Sequence, residues 1–230
     1  MPRKSRTPAP PRRVQAPKSR KDTRSSRAIV VAAIAAGALV AVVAAAGYFL
    51  VRDGEAQAKD VATTMRDAGC TYTTYPGLQS GVHIANPDAT PKQWNSFPPT
   101  SGPHYGQWVI WGDYSQPVRL AMSTHNLEHG GIVIFYGSGV GADQVEQLTR
   151  FYRDDPSAML VAPLPKLGDK IAVTAWYAPN ADKPDQADKD SKGVLAECTR
   201  YDENAFKTFR DTYRYKGPER IPPESLQPGS

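Results

Sequence analysis

Histidine and cysteine are scarce in this 230-residue chain: four of the first and two of the second. Two cysteines, Cys70 and Cys198, allow only one intramolecular bridge. No G-x-S-x-G pattern occurs, so the serine elbow of the α/β-hydrolases is missing. No internal repeat is present. Beyond residue 27 there is no basic stripe with interleaved aromatics, so nucleic acid is not an expected partner. From Ala28 to Val51 there is no charged residue at all.

That uncharged stretch is 24 residues long, between Arg27 and Arg52. As a helix it would extend about 36 Å, enough to cross a hydrocarbon core of about 30 Å with some tilt. Residues 1–27 hold ten Lys or Arg and one Asp, a net charge of +9. They lack any hydrophobic period and read as a disordered arm. Their charge predicts a cytoplasmic N-terminus, a single-pass transmembrane helix over residues 28–51 and an extracytoplasmic remainder. The arm would meet anionic lipid headgroups. A cleaved signal peptide fits less well, because Tyr48-Phe49-Leu50-Val51 extends the apolar run past Ala44-Ala45-Ala46. Without the arm the chain has 18 Lys+Arg against 22 Asp+Glu, so the arm alone produces the pI of 9.1.

Residues 52–70 read as a juxtamembrane helix or stalk, with Val61, Ala62, Met65 and Ala68 on one face. Residues 71–215 read as one α+β domain with a mainly antiparallel sheet and two or three helices. Strands are predicted at Gly131–Tyr136, Ala158–Ala162, Ile171–Tyr177 and Gly193–Cys198, with Trp108–Trp111 a further candidate. Helices are predicted at Ala142–Arg153, with Ser138 or Asp143 helping to cap it, and at Asn204–Tyr213. The Gly137-Ser138-Gly139-Val140-Gly141-Ala142 string reads as a turn rather than a dinucleotide cradle. Residues 179–193 read as an exposed loop and residues 216–230 as an extended Pro-rich tail. Cys70 and Cys198, near the two ends of a domain placed in an oxidising compartment, are expected to form a disulfide.

All four histidines fall within 47 residues, at His83, His104, His125 and His129. Glu128 stands beside the last. Clustered imidazoles with a carboxylate suit a divalent transition metal, zinc or copper. The leading set is His104, His125 and His129 with Glu128 near them, and His83 as a possible fourth imidazole. The bland alternative is a set of imidazoles hydrogen-bonded within a packed loop core. His125-Asn126-Leu127-Glu128-His129 also fits H-x-x-E-H, the inverted zinc-peptidase signature, in which Glu128 would be a general base. Ser101 near His104 is a weaker catalytic pair. Trp94, Tyr105, Trp108 and Trp111 read mainly as core.

Three strings carry a resemblance: Gly81-Val82-His83-Ile84; Asn95-Ser96-Phe97-Pro98-Pro99-Thr100-Ser101-Gly102-Pro103-His104-Tyr105; and His125-Asn126-Leu127-Glu128-His129-Gly130-Gly131. Over about residues 60–215 the chain resembles an actinobacterial group of membrane-anchored proteins that is known only as a domain of unknown function. The resemblance implies a single-pass anchor and an extracytoplasmic domain. It implies histidine at the positions of His83, His104, His125 and His129 and glutamate at that of Glu128, but no reaction. Three functions stay open: metal binding, a non-catalytic module for an unknown cell-envelope partner, and a metal-dependent hydrolase.

Overall fold

The computed structural model describes Val43, residues 60–183 and residues 186–230. The chain divides into two compact units, residues 1–51 and 52–230. Of the first, only Val43 is described, so the basic arm and the expected membrane helix lie outside the described residues. Among the described residues no helix is long and apolar enough to cross a membrane.

The second unit is an α+β domain built on a six-stranded sheet. In chain order its strands are β1 (Cys70–Pro76), β4 (Gly112–Asp113), β5 (Ile132–Tyr136), β6 (Met159–Pro163), β7 (Ile171–Tyr177) and β8 (Lys192–Cys198), and across the sheet the order is β1-β8-β7-β5-β6-β4. A separate parallel pair joins β2 (His83–Ile84) to β3 (His104–Tyr105). Helices are α1 (residues 60–67), α2 (Leu120–Glu128), α3 (Ala142–Asp154) and α4 (Glu203–Tyr213).

The sheet is mixed rather than mainly antiparallel. β6 runs parallel to both β5 and β4, whereas β1–β8, β7–β8 and β5–β7 are antiparallel. The reason is local: α3 carries the chain from β5 back to the same end of the sheet, which makes its two strands parallel.

Strand alternation then sorts the core. Ile132 and Ile134, Met159 and Val161, and Ile171, Val173 and Ala175 face one side, packed with α1, α3 and α4. Val133 and Phe135, Leu160 and Ala162, and Ala172 and Trp176 face the other, packed with Leu127 of α2 and with Val109. Period-two alternation with both faces apolar is what a covered sheet requires. α1 belongs to this core and is no free stalk, because Val61 and Met65 are fully buried.

Three local expectations are corrected. Trp108–Trp111 is not a strand; Gly112–Asp113 is, and the large Trp111 indole sits buried just before it. The α3 N-cap is Gly141, with no side chain accepting there, although Asp143 in the first turn suits the helix dipole. Residues 216–230 are packed rather than extended. Leu226 is buried, its carbonyl accepts from Ala158 N, and Ser230 O accepts from Trp111 N.

Cys70 and Cys198 face each other across β1 and β8 and are bonded, closing a loop over 128 residues. Cys70→Ser is expected to lower unfolding free energy by roughly 2–5 kcal/mol, because the open chain regains loop entropy. Denaturant unfolding under non-reducing conditions checks this. An unchanged midpoint would show that the bond adds nothing to stability.

Candidate metal centre

α2 sits between the sheet and the histidine-bearing loops, and nearly all of its side chains are buried. No periodic signal marks this helix in the sequence, since its polar residues, Ser123, Thr124, His125, Asn126 and Glu128, obscure any apolar stripe. Those polar groups find partners. Asn126 exchanges two hydrogen bonds with the Val109 backbone, at 2.9 and 2.7 Å, and so fixes the loop before β4. Thr124 Oγ1 donates to Leu120 O.

Gly130 and Gly131 end the helix. Gly131 N donates to Asn126 O and Gly130 N to Leu127 O, both at 2.9 Å, the paired bonds of a Schellman stop. Gly130 has φ of +80°, a conformation that L side chains resist. The termination leaves His125, Glu128 and His129 on the last turn. There they meet β2 and β3, whose register sets His83 directly beside His104.

The tautomers follow from the hydrogen bonds. His104 Nδ1 lies 2.8 Å from Gly102 O, and His125 Nδ1 lies 2.9 Å from Tyr105 O. A carbonyl only accepts, so both Nδ1 atoms carry a proton, and in the neutral imidazole each Nε2 then presents its lone pair. Glu128 Oε1 accepts from Gly81 N at 2.6 Å, and Gly81 makes this turn at φ of +67°. Glu128 Oε2 lies 2.9 Å from His104 Nε2 and 3.9 Å from His125 Nε2. His104 Nε2 has no hydrogen-bond partner despite that approach. At such a distance a proton on Nε2 or a metal ion must lie between the nitrogen and the carboxylate oxygen.

His83, His104, His125 and Glu128 each offer one ligand atom, all within 4.8 Å of one another, so this group could hold a metal ion. Three of the four are buried and His83 is exposed. Ligand atoms around a tetrahedral zinc stand about 3.4 Å apart, and the observed 2.9 and 3.9 Å straddle that spacing. Carbonyl acceptors on the far ring nitrogens are the usual support for metal-binding imidazoles.

His129 falls in a different group, with His125 and Glu219. Its Nε2 is 3.1 Å from His125 Nε2 and 3.0 Å from Glu219 Oε2. Glu219 escaped the sequence reading, because a lone acid in a Pro-rich tail gives no local signal. Backbone contacts deliver it: Glu219 N donates to Glu128 O, and Tyr215 N to Gly130 O. A Cβ on Gly217 would stand 2.2 Å from Glu128 O, so only glycine lets the tail lie this close.

The other chemical candidates do not assemble. Ser101 Oγ accepts from Leu78 N and forms no bond with His104. Glu128 has one oxygen on Gly81 N and the other 2.9 Å from His104 Nε2. Of the aromatic set, Trp111 is core, whereas Trp108 is 41% exposed with its ring against His125 and His129.

Burial holds both imidazoles of the last α2 turn neutral: it lowers the His125 pKa, and lowers that of His129 to about 4, with His125 nearby adding to the effect. Burial opposes ionisation of Glu128, yet its contacts with His104, Gly81 and His125 outweigh this and keep its pKa below the ordinary value. In the metal-free protein the unfolded chain therefore binds protons below about pH 6.5 that the folded chain refuses. Stability is complete above that pH and falls as pH drops toward 4, by roughly 2–3 kcal/mol at pH 4.5 for His129 alone. Urea unfolding of chelator-treated protein at pH 7.5 and 4.5 measures the loss, and His129→Gln should flatten it. Equal pH sensitivity in that variant would contradict this origin.

Comparison with known proteins places the chain in a family. No curated protein matches it, and no solved structure does. A family model matches residues 87–225, a span that includes His104, His125, Glu128, His129 and Glu219 and leaves His83 just outside. The match covers well over half of the chain, which belongs to the family described as protein of unknown function DUF3105.

Proposed function

We propose that this protein binds one divalent transition metal, zinc or copper, through His83, His104, His125 and Glu128. The supporting observation is the convergence of the His104 and His125 Nε2 atoms on the Glu128 carboxylate in a buried spot, with both Nδ1 atoms held by carbonyls. Imidazole and carboxylate donors suit these ions better than calcium or magnesium, which take oxygen ligands. We further propose that the domain lies outside the cytoplasm, anchored through residues 28–51 with residues 1–27 inside against lipid. The +9 arm, the uncharged stretch and the Cys70–Cys198 bond support that placement.

A second reading rests on the surface. Phe97, Trp108 and Ile110 are 43, 41 and 56% exposed. Loops that present such side chains suit a non-catalytic module docking on a cell-envelope partner. Capture of that partner by a chain lacking all four histidines would favour it.

The full-length chain in detergent is expected to retain about one equivalent of metal after dialysis, and metal addition to the stripped protein should raise Tm. Glu128→Gln should abolish retention. His83→Ala, at an exposed position, should weaken binding at least tenfold while leaving the metal-free Tm unchanged. A wild-type chain that holds no metal, with Tm unmoved by zinc or copper, would contradict the reading.

A further inference from the structure

His125 belongs to both groups that could hold an ion, yet only one of its nitrogens is free. Its Nδ1–H is committed to Tyr105 O, so its Nε2 can bind one ion at a time. The two groups are therefore alternative positions for a single ion, not a binuclear centre.

The positions differ in chemistry. At the inner one, His104 and His125 both have carbonyl acceptors for Nδ1–H, and Glu128 is nearly inaccessible. At the outer one, Nδ1 of His129 is buried with no partner. A lone pair tolerates that environment better than an N–H does, so the His129 proton sits on Nε2, facing Glu219 and His125. To bind an ion there, His129 must release that proton or move it to an Nδ1 that has no acceptor. Either route weakens the outer position. Glu219, whose side chain is 53% exposed, meets solvent directly.

We propose that His129, Glu219 and His125 form a weak outer position that receives the metal ion and hands it, through His125, to the inner set of His83, His104 and Glu128. The inference rests on the inner set being a metal site. Glu219 supplies the negative charge that draws the hydrated cation in, and His125 remains a ligand throughout the transfer. The Trp108 ring, packed against His125 and His129, flanks the outer position.

The test is stopped-flow mixing of the stripped full-length chain with cobalt(II), read by its visible absorption, alongside equilibrium titration. The wild type should bind one equivalent. Glu219→Gln should bind one equivalent with nearly the same affinity, but load about tenfold more slowly. His83→Ala, with a damaged inner set, should still bind one weak equivalent, and combining it with Glu219→Gln should remove that. Loading of Glu219→Gln at the wild-type rate would overturn the relay alone, since the ion would then pass by His83. Two equivalents in the wild type would overturn the sharing of His125. A wild-type chain that takes up no metal would remove the primary reading along with this one.

Discussion

Three polar atoms converge where water scarcely reaches: Nε2 of His104, Nε2 of His125 and Oε2 of Glu128. Buried polar atoms need partners: His125 Nε2 has His129 Nε2 at 3.1 Å, whereas His104 Nε2 meets only the Glu128 carboxylate. The convergence is no accident of side-chain packing. The far side of each imidazole is tied to a carbonyl, and the second carboxylate oxygen is tied to Gly81 N. The backbone aims all three groups inward, into an arrangement that could hold a metal ion.

Much of the surrounding architecture serves that aim. The Schellman stop at Gly130 and Gly131 ends α2 one residue after Glu128 and sends the chain into β5, the centre of the sheet. The same stop lets the C-terminal segment cross the helix end, where Gly217 allows backbone contact and Glu219 reaches His129. The parallel β2–β3 pair is only two residues long on each side, yet it brings His83 to His104 from 21 positions away. The disulfide and the three helices on the opposite face of the sheet hold the core that supports α2.

The strands and amphipathic helices of the C-terminal half were legible because their signal is local. Ile171–Tyr177 alternates Ile171, Val173 and Ala175 against Ala172 and Trp176, and these two sets enter opposite cores. α3 and α4 present apolar stripes at helical spacing, and both were read within a residue or so. α2 was not legible, because a helix buried around a polar site carries its polar residues inward and loses its stripe. The mixed sheet was not legible because which strands pair, and in which direction, is set by how each connection crosses the sheet and not by residue pattern. The histidine cluster and Glu128 could be read from composition and spacing. The division of His129 from His104 could not, since it depends on how β3 and the C-terminal segment pack against the end of α2. Glu219 could not either, since its contact with His129 spans 90 positions of chain.

Membership in a family of unknown function leaves the chemistry to the residues themselves. Imidazoles on carbonyl supports, one carboxylate and an exposed fourth imidazole are the basis of the proposed transition-metal site. X-ray absorption at the zinc edge, on the full-length chain loaded with one equivalent, examines this most directly. Three imidazole nitrogens and one carboxylate oxygen at about 2.0–2.2 Å are expected. A first shell of water oxygens, without the outer-ring scattering of imidazole, would contradict it.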